Sequence, residues 1–127
     1  MEFNNDLPIY QQIMNMIKYD IVSGKIPSGQ KLLSTRDLAI KLKVNPNTIQ
    51  RVYKELETEA VCQSKRGLGT FVTEDDEVIL MMKETLVDDM VKTFIEGMTK
   101  LNYSRENIID KINCQFEKGD QQDVNIN

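Results

Sequence analysis

The stretch from Leu38 to Leu56 most constrains the fold: apolar residues three and four apart run up to a short polar break and resume beyond it. Leu38, Ala39 and Leu42 form one buried stripe, and Ile49, Val52, Tyr53 and Leu56 form the next. The break itself, Val44-Asn45-Pro46-Asn47-Thr48, carries a helix start signal. Asn45 has a short side chain that accepts from amides of the following turn, and Pro46 stands at the first helical position, where its missing amide hydrogen costs nothing. Two helices joined by about four residues are therefore predicted, the second with a polar and basic outer face.

Around this pair the pattern changes period. Ile9, Tyr10, Ile13, Met16, Ile17 and Ile21 predict an amphipathic helix over 8–22, opened by Pro8 and broken by Ser23, Gly24, Pro27 and Gly29. Lys31-Leu32-Leu33 reads as a short extended segment, and Ser34 caps the helix that follows, with Asp37 in its first turn. Val61–Ser64 and Thr70–Thr73 are β-forming runs joined by Lys65-Arg66-Gly67-Leu68-Gly69, which predicts a hairpin with a basic tip. The acidic run Glu74-Asp75-Asp76-Glu77 suits the positive end of a long helix with Ile79, Met82, Leu86, Met90, Phe94 and Met98 on one face, ending near 97–101. Ser104 caps a last helix with Ile108, Ile109, Ile112 and Phe116 on one side and Gly119 as its stop. The predicted architecture is α+β: a winged helix-turn-helix domain over residues 1–73, a two-helix C-terminal arm over 74–119, and a disordered polar tail over 120–127.

Charge looks at first unfavourable to nucleic acid, because the chain of 127 residues has a net charge of -4. Its distribution reverses that reading. Residues 1–73 hold ten basic and seven acidic side chains, and the excess of acid lies entirely in the later helices and tail. Phosphate responds to the field within a Debye length of about 8–10 Å, so a distant acidic segment does not cancel a basic face. Other classes fall away on residue content. There is no histidine, Cys62 and Cys114 lie far apart outside any CxxC spacing, and no metal site or cofactor is expected. No GxSxG or phosphate-binding loop is present, and the acidic run is explained as a helix start, so an enzyme is not expected. The polar N-terminus and the lack of a roughly 20-residue apolar run predict a cytoplasmic chain with no membrane span.

Four segments carry a resemblance. Ser34-Thr35-Arg36-Asp37-Leu38-Ala39, Val44-Asn45-Pro46-Asn47-Thr48-Ile49, Tyr53-Lys54-Glu55-Leu56-Glu57 and Gly67-Leu68-Gly69-Thr70-Phe71-Val72 resemble, in order and spacing, the DNA-binding domain of the GntR family of bacterial repressors. Leu7-Pro8-Ile9-Tyr10-Gln11-Gln12 and the short helical tail are similar to the YtrA-like branch of that family. The resemblance implies a homodimeric repressor that binds an inverted-repeat DNA operator and controls a transporter operon. It also implies that Arg36 touches a phosphate or a guanine edge, and that Asn45, Asn47, Thr48 and Gln50 enter the major groove. Arg51 and Lys54 are candidates for the DNA backbone, and Arg66, Gly67 and Gly69 for the adjacent minor groove.

Other readings stay open at this stage. Arg36 could pair with Asp37 or Glu55, Arg51 and Lys54 could be solvated helix face, and Gly67 and Gly69 could serve the turn alone. Ile79, Met82, Leu86, Met90, Phe94, Ile108, Ile112 and Phe116 are the expected dimer surface, with folding back onto the first helix as the alternative. An unknown small-molecule effector between the arms, and a winged helix used for protein contact, are competing functions. Four positions depart from the family pattern. Leu33 replaces a proline and is expected to loosen its loop. Ala60 replaces a glycine, so it must accept a left-handed backbone or end its helix differently. Pro46 and Gln50 replace positions that are often basic, which predicts a different operator sequence.

Overall fold

Local signals set where each helix begins. In the computed structural model, which describes residue 3 and residues 6–126 with side chains through residue 120, the chain runs α1 (Ile9–Val22), α2 (Thr35–Leu42), α3 (Pro46–Thr58), β1 (Cys62–Lys65), β2 (Gly69–Val72), α4 (Asp76–Lys100) and α5 (Arg105–Ile126). Ser34 Oγ accepts from the Asp37 amide at 3.0 Å, and Asn45 Oδ1 accepts from the Asn47 amide at 2.8 Å. Asp75 Oδ1 accepts from the Glu77 amide at 3.0 Å, and Ser104 Oγ from the Asn107 amide at 3.2 Å. Each cap satisfies an amide that has no partner inside its helix.

Helices α2, α3 and α4 end by one shared device. Lys43, Ala60 and Asn102 adopt left-handed backbone with φ of 58°, 63° and 65°. The next residue then reaches back five positions: the amides of Val44, Val61 and Tyr103 donate to the carbonyls of Ala39, Leu56 and Met98 at 3.0, 2.9 and 3.1 Å. Asn tolerates this conformation, but an alanine Cβ crowds its own carbonyl there, at a cost of about 1–2 kcal/mol. Ala60 thus accepts the strained backbone. Ala60→Gly is expected to stabilise the fold by about 0.5–1 kcal/mol, the relieved strain exceeding the entropy added to the unfolded chain. A thermal melt rising by a few degrees, with DNA affinity unchanged, is the result expected.

The first of two compact units, Met1–Leu86, is built on α1, α2, α3 and the hairpin. Ile13, Ile49, Val52 and Leu56 are fully buried, and Ile17, Ile21, Leu38, Ala39, Leu32, Val61, Cys62 and Val72 complete the core around them. Met14 is buried while Ile9 is exposed, the reverse of the stripe read from α1, because the core wraps more of the Met14 side of the helix. The hairpin pairs Cys62 with Val72 and Lys65 with Gly69 in antiparallel register. Residues 29–32 add a third edge: Leu32 donates to the Thr70 carbonyl at 2.8 Å, Val72 donates to that of Gln30 at 2.9 Å, and Lys31 bridges Phe71. The extended segment read from Lys31-Leu32-Leu33 is therefore a sheet edge. Tyr53 Oη also donates to the Leu33 carbonyl at 2.6 Å, so the loop expected to be loose is held from α3 and from β2.

Beyond β2, Ile79 and Met82 on the first turns of α4 pack against the core of the first unit. The first compact unit extends into α4 as far as Leu86, and the second begins at Val87. In the second unit Ile108 is buried, whereas Met90, Phe94, Ile112 and Phe116 are 61%, 43%, 37% and 70% exposed. Helix α5 passes through Gly119, which does not adopt a positive φ, and continues to Ile126. The stop read at Gly119 does not occur there: a helical glycine costs about 1 kcal/mol relative to alanine, too little to end a helix by itself. Asn127, the last residue of the expected tail, lies outside the described residues.

Two buried acids make the fold sensitive to alkali. Burial pushes the Cys62 thiol up to about 11, with the Glu57 carboxylate adding to the effect, and pushes the Tyr53 hydroxyl up to about 12. The folded chain thus keeps protons that the unfolded chain releases from about pH 9 upward, so these groups leave stability intact below that pH and lower it as pH rises towards 12. Urea midpoints that fall steeply between pH 9 and 11, with Cys62 resisting a thiol reagent at pH 8 until the chain unfolds, are expected; a flat profile contradicts the assignment.

Candidate nucleic-acid interface

Pro46 and the Asn45 cap present the amino end of α3 to solvent, where Asn45, Asn47 and Gln50 are exposed and Thr48 is half-buried. Burial of Ile49, Val52, Tyr53 and Leu56 fixes the opposite face of the helix, so the polar side is left outward by the apolar spacing itself. Arg36 is exposed on the first turn of α2, and Lys54 is exposed one turn beyond Gln50. At the hairpin tip the Leu68 amide donates to the Lys65 carbonyl at 2.8 Å. Gly67 at φ 76° and Gly69 at φ 120° supply backbone that other residues rarely adopt, so both glycines are required by the turn whatever else they do.

The side chains of Arg36, Asn47, Gln50, Lys54 and Arg66 make no hydrogen bond, ion pair or ring contact with other described residues. Neither Asp37 nor Glu55 holds Arg36. These cations and amides are thus available without breaking an internal contact. Arg51 is different. Its guanidinium lies over the Tyr10 ring at 3.6 Å, and its Nε donates to Glu55 at 3.2 Å, which ties α3 to the start of α1.

Several residues that position the surface were not singled out from sequence. Glu57 accepts from the Ser64 amide at 3.4 Å and from its hydroxyl at 3.2 Å, a strut between the end of α3 and β1. Lys18 pairs with Glu59 at 2.8 Å across α1 and α3. Tyr10 belonged to the α1 stripe, but nothing in the spacing marks it as the platform for Arg51. Contacts of this kind join residues far apart in sequence, and no local pattern records them.

Three helices with an outward polar α3 amino end, followed by a glycine-turned hairpin, define a winged helix-turn-helix domain of the DNA-binding class. Comparison with known proteins places it further. The sequence profile of the bacterial regulatory proteins, gntR family, matches residues 9–72. The HTH-type transcriptional regulator YhcF of Bacillus subtilis is 37% identical over 118 residues, covering 93% of this chain and 98% of that protein. The HTH-type transcriptional repressor YtrA of the same organism is 38% identical over 89 residues, covering 69% of this chain and 68% of that one. A GntR family transcriptional regulator from Listeria monocytogenes has a similar structure, with a TM-score of 0.80 and 41% identity over 87% of this chain and 97% of its own. The chain belongs to the GntR family: it is a helix-turn-helix transcriptional regulator, not an enzyme. Among the described residues no helix is long and apolar enough to cross a membrane.

Proposed function

We propose that this regulator is a homodimeric repressor that binds an inverted-repeat operator, laying α3 of each copy in the major groove and the hairpin tip against the neighbouring minor groove. The observation that carries this reading is the set of exposed groups on α2, α3 and the hairpin whose side chains have no partner among the described residues: Arg36, Asn47, Gln50, Lys54 and Arg66. Asn and Gln match adenine bidentately, Arg matches guanine or phosphate, and Thr48 suits phosphate. Arg51, held by Tyr10 and Glu55, fits a role in setting the tilt of α3 more than direct contact. Similarity to the YtrA-like branch, of which one relative is a repressor, supports repression as the mode of action, and a transporter operon as its target is what that resemblance implies.

The exposed apolar residues of the second unit support pairing with a second copy, because a patch containing Met90, Phe94, Ile112 and Phe116 has little of its own unit to cover it. A small-molecule effector has one observation in its favour: a groove of about 510 Å³ lined by Phe94, Met98, Leu101, Tyr103, Ile112 and Phe116. Selecting bound sequences from a random duplex pool tests the main reading. Enrichment of an inverted repeat with half-sites one helical turn apart, bound by two chains and weakened steeply by salt, is expected. No enrichment, with no binding of random duplex at low salt, overturns it.

A further inference from the structure

The outer face of the hairpin sheet carries a pair of lysines. Alternation along each strand sends Leu32, Val72 and Cys62 into the core, and therefore sends Lys31, Phe71, Gln63, Gly69 and Lys65 outward on the other face. Lys31 and Lys65 approach this face from opposite edges, one from the 29–32 segment and one from β1. Between them stand Phe71 and Gly69. The Lys65 ammonium sits over the Phe71 ring at 4.6 Å. The Lys31 stem crosses Gly69 so closely that a Cβ there would lie 2.8 Å from its Cε. Neither lysine has an ion-pair partner among the described residues, and the nearby Glu74 carboxylate lies instead against Gly29.

We propose that Lys31, laid across Gly69 beside Lys65, is a phosphate-binding residue of the hairpin that grips the DNA backbone flanking the minor groove. The absence of a side chain at Gly69 has two consequences at once: it permits the φ of 120° and it opens the lane along which the lysine stem lies. Burying that stem on the sheet costs little, because a lysine keeps its charged end in water while its methylenes cover the strand. It also limits the wandering of the ammonium before DNA arrives. A duplex backbone fits this surface better than a protein carboxylate, since two cations on one sheet face, without ion-pair partners among the described residues, match a run of regularly spaced phosphates, and the same sheet already ends in the Arg66 tip.

This inference rests on DNA binding as proposed above, and the test separates the two. Fluorescence anisotropy with operator duplex and with random duplex, from 50 to 300 mM salt, is compared for the native chain, Lys31→Gln and Lys31→Arg. Lys31→Gln is expected to weaken both duplexes by a similar factor of roughly 5–10 and to reduce the slope of log affinity against log salt by about 0.9, with Lys31→Arg restoring the slope. Thermal midpoints confirm that both variants fold. An unchanged slope in a folded Lys31→Gln chain overturns the role of Lys31 while leaving DNA binding intact. Failure of the native chain to bind either duplex overturns the DNA-binding reading itself.

Discussion

Phe94→Asp is expected to convert the proposed dimer into monomers and to lower operator affinity by about 10²–10⁴. Phe94 is 43% exposed on the second unit and lines its apolar groove. In a two-fold dimer every substitution occurs twice in one interface, so two carboxylates would lose water together in an apolar setting. Once the copies separate, the second half-site is no longer bound at the high effective concentration that linkage provides, and affinity falls towards that of one half-site. Phe94 lies outside the first unit, so the core around Ile49 and Leu56 is expected to keep its structure. Sedimentation gives the mass, circular dichroism the helix content, and a mobility-shift titration the affinity. A variant that keeps the mass of two chains and native affinity removes the arm from the dimer surface.

Arg36→Ala ranks second, with an expected loss of roughly 10–100-fold in operator affinity, corresponding to about 1–3 kcal/mol for one bidentate contact. Arg36 is exposed and has no internal partner among the described residues, so little stability is at stake and a thermal midpoint close to native is expected. The salt dependence tells which atom it touches. If the guanidinium reads a guanine edge, the loss appears on the operator alone and preference relaxes at one base pair. If it holds a phosphate, operator and random duplex weaken together and the salt slope drops by about one unit. Unchanged affinity for both duplexes takes Arg36 out of the interface.

Most of the fold was legible in the residues because its boundaries are local events. Ser34, Asn45 and Ser104 cap their helices within three residues, and the observed α3 coincides with the helix placed after Pro46. The hairpin tip was equally readable, since Gly67 and Gly69 serve backbone that few other residues accept. Where the reading missed, the deciding energy came from elsewhere. Met14 is buried in place of Ile9 because the core, not the helix, chooses the face. Helix α5 runs past Gly119 because neighbouring turns outweigh one weak helix former. Ile79 and Met82 looked like members of one long dimer stripe, yet their first use is to close the core beneath α4.

Spacing and caps alone therefore determined which segments are helix or strand, and which polar side chains face outward at the start of α2 and α3. These are short-range matters of backbone geometry and period. Only the tertiary structure decided that Arg51 is occupied by Tyr10 and Glu55, that Glu57 braces β1, and that Lys31 lies across Gly69. Each of these joins side chains with free rotamers from different elements, and which pairs meet depends on how the elements pack, a property no stretch of consecutive residues contains.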